Sequence, residues 1–183
     1  MELKEIRQKI DAVDGQMKEL FLKRMELSGR VAEAKRRTGG AVYVKEREAE
    51  VLALRSDGVS AELIPECTAF FGHMMEISRI YQYSLLAEET EGMQKLPKSE
   101  GAVDIEISCP SGHAVSPALC LNAAAVAGLQ AEEVAFYKKG GEQFLHVRLS
   151  GNFSSVLSRA VILQMLQESP AVVTTVRCSA VDE

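Results

Sequence analysis

The sequence predicts two domains of different class in tandem, an all-α N-terminal half followed by an α+β C-terminal half. Three observations lead there. Residues 1–90 carry 14 Lys+Arg and 16 Asp+Glu, whereas residues 91–183 carry 7 and 10. Across the same cut Val rises from six to eleven and Pro from one to four. The apolar residues of the first half recur at helical spacing, while the second half contains short alternating runs rich in Val. Charged, Pro-poor sequence suits helices and Val-rich sequence suits strands. Glu88–Gly101 is polar and contains Gly and Pro, so the domains are placed at 1–90 and 101–183 with 91–100 as the linker.

The first element is a long helix. Leu3, Ile6, Ile10, Val13, Met17, Leu20, Leu27, Val31 and Ala34 keep an alternating 3-4 spacing, and Gly39-Gly40 supplies the stop. From residue 3 to 37 it spans roughly 50 Å at ~1.5 Å per residue. A 90-residue domain cannot cover such a helix, so it needs a partner, most simply a second copy of the chain. After the extended stretch Ala41–Val44, a second helix runs from about Lys45 to Ser56. A third begins between Ser60 and Pro65, where Ser caps and Pro is tolerated in the first turn. It carries a stripe of Cys67, Phe70, Met74, Ile77, Tyr81 and Leu85 and runs to about Glu89.

The second half reads strand, helix, strand, strand, helix, strand. The strands fall at Val103–Cys109, Glu133–Tyr137, Gln143–Leu149 and Ala171–Cys178, and the helices at Pro117–Leu129 and Ser154–Gln167. Lys138-Lys-Gly-Gly141 is a hairpin turn signal. This order predicts a ferredoxin-like βαββαβ sandwich.

Composition narrows the function. With 46% hydrophobic and 26% charged residues the chain is an ordinary globular one. It has no apolar run long enough for a membrane span and no apolar signal core at its N-terminus. A net charge of −5 without a basic segment argues against nucleic acid. The four cysteines and three histidines are scattered, which gives neither a metal site nor a disulfide scaffold. The expectation is a cytoplasmic protein with no metal or cofactor.

Several polar residues stand in apolar surroundings. Arg24 occupies the seam of the long helix, where it snorkels out, makes a structural ion pair, or forms an anion site inside a bundle. Lys35 lies three turns on and about 20° round the axis, with its attachment point ~16 Å away, so two long stems could hold a small dianion. Equally, Lys35-Arg36-Arg37 could be a solvated basic helix end complementing the dipole. Arg7 is ~42 Å from Lys35 along the axis and can share a ligand with it only across an antiparallel pair of helices; otherwise it is a surface arginine. Ser78 and Gln82, four apart, share a helix face with Phe71 and Met75. They form either a satisfied core pair or part of a polar pocket. Arg47-Glu48 is uninformative alone.

Together these residues resemble the all-helical chorismate mutases over residues 3–89. The resemblance lies in Leu3-x-x-Ile6-Arg7-x-x-Ile10-Asp11-x-x-Asp14, Leu20-x-x-x-Arg24-x-x-Leu27, Val31-x-x-x-Lys35, Tyr43…Arg47-Glu48 and Ser78-x-x-x-Gln82, all in order. It implies an intertwined helical homodimer that converts chorismate to prephenate in aromatic amino-acid biosynthesis. Arg24, Arg47 and the other chain's Arg7 would clamp the two carboxylates, with Ser78 in support. Lys35 would meet a carboxylate and the ether oxygen, Gln82 the same ether oxygen, and Glu48 the ring hydroxyl. Many members have an acidic residue where this chain has Val44.

The implied reaction is an intramolecular [3,3] rearrangement that needs no nucleophile, metal or redox group. Arginine forks fold the dianion, and preorganised donors stabilise charge on the ether oxygen. Isochorismate pyruvate-lyase activity on the same fold, or a sensor or assembly module without turnover, are the alternatives. The C-terminal half is similar to small regulatory domains of the ACT type, although their Asp-x-Pro-Gly turn is replaced by Cys109-Pro-Ser-Gly112 nearby. That similarity implies an aromatic amino-acid effector; a role in assembly is the other expectation.

Overall fold

The computed structural model describes residues 2–87, 90, 93, 96, 98–109, 117–169 and 171–178. Helix α1 is Leu3–Thr38, α2 is Lys45–Ser56 and α3 is Ile64–Leu86. There follow β1 (Glu100–Cys109), α4 (Pro117–Val126), β2 (Gln130–Lys139), β3 (Glu142–Asn152), α5 (Val156–Glu168) and β4 (Ala171–Cys178). The expected order of elements is the observed one. The expected end of the third helix at Glu89 and the Cys109–Gly112 turn lie partly outside the described residues.

Local chemistry sets the boundaries. A reciprocal capping box between Glu2 and Glu5 opens α1. Gly39, at φ 69°, closes it in the left-handed region that glycine adopts freely. Pro65 stands in the first turn of α3. The β2–β3 connection is a two-residue turn through Gly140 and Gly141, both at positive φ, which matches the twist of a hairpin. Pairing continues beyond the sequence-based limits at both ends of β2 and β3, because the hairpin register holds polar residues such as Lys138↔Gln143 in the ladder. Helix α4 is shorter than expected and stops before Gly128, whose φ of 70° ends it.

The four strands form one antiparallel sheet in the order β2-β3-β1-β4. Its inner face carries Val103, Ile105, Ile107, Leu145, Val147 and Leu149, all buried. Helix α5 is buried nearly all round, from Ser158 through Ala160, Ile162 and Met165. A helix apolar on all sides is a helix covered on all sides. One flank of α5 packs on β4 and another on α3, so α5 joins the halves, with a smaller contact of α4 on α3 beside it.

That packing changes which face of α3 is interior. Phe70, Tyr81 and Leu85 of the expected stripe are exposed, whereas Met75, Ser78, Arg79, Ile80, Gln82 and Tyr83 are buried. Ile80, Tyr83 and Ala87 belong to the same hydrophobic cluster as the sheet. Met93 and Leu96, within the segment expected to link the domains, are buried in that cluster too. The stripe of α1 is a different matter. Leu3, Ile6, Ile10, Val13, Met17, Leu20, Leu27 and Val31 are all exposed on the single chain.

Candidate functional site

Helices α1 and α3 bring four of the singled-out side chains into two neighbouring contacts. The Arg24 guanidinium donates to the Ser78 hydroxyl and, at 3.4 Å, to the carbonyl of Met74. Ser78 in turn donates to the same carbonyl at 2.8 Å. Eleven residues along α1, Lys35 donates to the Val42 carbonyl at 2.8 Å and to the side-chain oxygen of Gln82 at 3.5 Å. The pairs advance together along both helices, so α1 and α3 run in the same sense. The left-handed residue Gly39 turns the chain back far enough for Val42 to meet the ammonium.

Electrostatics at this end of the bundle is cationic but not unopposed. Burial lowers the pKa of both Arg24 and Lys35 from their ordinary values; the nearby Glu48 carboxylate acts the other way, and Arg79 adds to the lowering. Glu48 stands in the first turn of α2, where a carboxylate suits the helix dipole. It is held by Arg79 Nη1 at 2.5 Å.

Sequence reasoning missed Arg79. Its Nε donates to Glu168 at 2.7 Å, and its guanidinium lies 5.2 Å over the Tyr43 ring. Burial works to lower its pKa, yet the hydrogen bonds and charges of Glu168 and Glu48 raise it overall. Glu168 itself is raised by burial, against the pull of Arg79. Arg79 neighbours Ser78 on α3, and a charged residue between Met75 and Tyr83 was the available signal. Glu168 lies 89 positions further on, beyond any local pattern.

Two expected site residues stand apart. Arg47 is exposed and pairs at 3.1 Å with Glu50 on its own helix. Arg7 is exposed near the start of α1, some 42 Å from Lys35 by helix rise. Val44 is the N-cap residue of α2 and is exposed. Beside Arg24 opens a groove of about 1130 Å³ bounded by α1, α2 and α3, lined by Met17, Phe21, Val51, Phe70, Phe71 and Met74 among others. Among the described residues no cluster of His, Cys, Asp and Glu could hold a metal ion. No described helix is long and apolar enough to cross a membrane.

The arrangement can grip a small anion with fixed donors and offer it one carboxylate acceptor. Residues 6–83 match the family model for chorismate mutase type II. The chain is 35% identical to the T-protein of Enterobacter agglomerans over 100 residues, which cover 52% of this chain and 24% of that protein. It is 38% identical to the T-protein of Haemophilus influenzae over 69 residues, covering 35% and 18% respectively. The matched segments span a quarter or less of those relatives. No solved structure gives a significant match.

Proposed function

We propose, from the membership of residues 6–83 in the chorismate mutase type II family, that the chain rearranges chorismate to prephenate. The observation that carries the reading is the Lys35–Gln82 pair beside the Arg24–Ser78 pair. The substrate is a flexible dianion. The bond that breaks is an ether C–O, and a C–C bond forms in the same step without an external nucleophile or acid.

Arg24, Lys35 and Arg79 against Glu48 and Glu168 sum to a net charge of +1 (three minus two). Arg47 and the Arg7 of a second protomer would raise that to +3, a fit for a dicarboxylate. The Arg47–Glu50 pair is exposed, and such pairs contribute little, so a substrate carboxylate displaces Glu50 readily. With Arg24, these guanidinium forks press the substrate into the chair from which the two termini react. Lys35 holds the Gln82 amide by its oxygen, which leaves the Gln82 amide nitrogen as a donor. Ammonium and amide then both meet the ether oxygen as negative charge gathers on it, each worth ~3 kcal/mol at a water-excluded site. Glu48 accepts from the ring hydroxyl, and Ser78 keeps Arg24 aligned.

The second protomer comes from the exposed stripe of α1. A 36-residue helix with its apolar side uncovered, next to an apolar groove, fits the same helix of another copy running antiparallel. That arrangement also delivers Arg7 to the far site. The C-terminal half is proposed to act in regulation by an aromatic amino acid or in assembly.

The deciding experiment incubates the full chain with chorismate and, separately, with isochorismate, following prephenate and pyruvate. Prephenate from chorismate supports the reading. Pyruvate from isochorismate alone replaces it with the lyase, and binding of chorismate without turnover replaces it with a sensor.

A further inference from the structure

Glu168 is an odd place for a carboxylate. It is the last residue of α5, where the helix dipole disfavours negative charge, and its side chain is only 2% exposed. Gln164 donates to both of its oxygens, at 3.3 and 3.2 Å. Arg79 supplies the compensating charge, and Arg79 is shared. One of its nitrogens serves Glu168, of the α/β half, and another serves Glu48, on α2. Stacking over Tyr43 restricts the guanidinium further. Buried ion triads are often no more stable than well-packed apolar residues, so stability alone does not call for this one.

We infer that Glu168 is a positioning residue for the proposed mutase site, acting through Arg79 on Glu48. By anchoring Nε, Glu168 fixes the orientation of the guanidinium, which in this pose gives Glu48 one hydrogen bond, to Oε2. The other carboxylate oxygen of Glu48 is then left to accept the substrate hydroxyl. Without the Glu168 charge, the guanidinium turns its fork on both Glu48 oxygens, the bidentate geometry it prefers. The acceptor is withdrawn from the substrate. The α/β half thereby completes a site whose ligand-touching residues all lie in the helical half. The inference rests on the mutase reading for its ligand but not for its geometry.

The test uses the full chain with Glu168→Gln, which keeps size and an acceptor oxygen while removing the charge. The hydroxyl contact is equal in ground and transition states, so KM for chorismate rises about tenfold while kcat stays within about twofold. Glu48→Gln combined with Glu168→Gln is no worse than Glu48→Gln alone, because both act at one acceptor. A tether that merely joined the halves would leave KM unchanged, or would add its effect to that of Glu48→Gln; either result overturns the inference. A readout independent of turnover is the carboxyl ¹³C resonance of Glu48. It shifts in the folded Glu168→Gln protein, and an unmoved resonance also overturns the inference. If the wild-type chain forms no prephenate, the activity reading fails and this resonance still decides the link. Should Glu168→Gln unfold, Glu168→Asp makes the same test: a carboxylate one methylene shorter no longer reaches Nε at 2.7 Å, the fork is freed for Glu48, and KM rises as for Glu168→Gln, whereas an unchanged KM overturns the inference.

Discussion

The ammonium of Lys35 stands 3.5 Å from the side-chain oxygen of Gln82, a residue 47 positions further along the chain. The contact orients an amide that has no fixed orientation of its own. Lys35→Ala and Gln82→Ala should therefore each lower kcat/KM by about 10²-fold, from ~3 kcal/mol of lost transition-state stabilisation. Both variants should fold, since neither side chain belongs to the main hydrophobic cluster. Steady-state kinetics on chorismate with circular dichroism checks this. Near-normal turnover in either folded variant would remove the ether-oxygen role.

Lys35 also sets an alkaline limit. Burial lowers its pKa below the ordinary 10.5, and Glu48 holds it up. The ammonium brings both the positive charge and the charge-assisted hydrogen bond that the neutral amine lacks, so kcat/KM falls as pH rises through the lowered value. Glu48→Gln removes the supporting charge and moves the limb further to the acid side; Lys35→Arg abolishes it. A limb at the same pH in wild type and Glu48→Gln would show that another group titrates.

Arg7 gives a test by complementation. It cannot reach Lys35 of its own chain across ~42 Å. In an antiparallel dimer each site combines one Arg7 with the other chain's Lys35. Mixing inactive Arg7→Ala and Lys35→Ala homodimers should yield heterodimers with one site intact and one lacking both groups, and about half of the per-site activity. Verified heterodimers that recover nothing would rule out the shared site.

Arg79 is the structural counterpart of these catalytic tests. Its side chain is 9% exposed and faces two carboxylates. Arg79→Ala leaves Glu168 buried and uncompensated, a loss of about 3–5 kcal/mol. Burial already raises the pKa of Glu168, and losing Arg79 raises it further. Its ionised form is then the costly one. The deficit against wild type should be largest at neutral pH and shrink as acid protonates Glu168. Denaturant melts at several pH values would show this, and a deficit independent of pH would sink it.

What the residues disclosed divides along physical lines. Helix α1 was legible because its apolar spacing is long and its stop is a glycine, both local signals. Lys35 and Gln82 were found because each is polar on a patterned helix and the order of the fragments resembled a family. The interior face of α3 was not legible. Tyr81 and Leu85 look like core on a helical wheel, yet α5 covers the opposite side, with Ile80 and Tyr83, and no local rule fixes which face a distant helix will take. Arg79 and Glu168 were missed for the same reason, since each makes sense only against the other. Met93 and Leu96 sit in sequence with the composition of a linker, and burial came from the tertiary surface they meet.

The way α5 covers α3 bears on whether the helical half stands alone. A chain ending at Glu91 retains every residue proposed to touch substrate, so on that account it should be active. It also uncovers Ile80, Tyr83 and Ala87, which are almost fully buried against the α/β half. Burying a large apolar side chain contributes ~1.5–3 kcal/mol, so Ile80 and Tyr83 together represent roughly 3–6 kcal/mol. Total stability of a domain is only about 5–15 kcal/mol. The truncated chain should thus unfold at a markedly lower temperature, by tens of degrees at ~4–8 °C per kcal/mol for a domain of this size. Its residual folded fraction should show raised KM, because Arg79 has lost Glu168. Replacing Ile80 and Tyr83 with polar residues in the truncated chain checks the cause: with no burial left to lose, the melting temperature stays close to that of the truncated parent and KM stays high, whereas in the full-length chain the same replacements are strongly destabilising. A truncated protein that melts with the full-length one, with wild-type KM, would mean that the contact across α3 and α5 supports neither the fold nor the site.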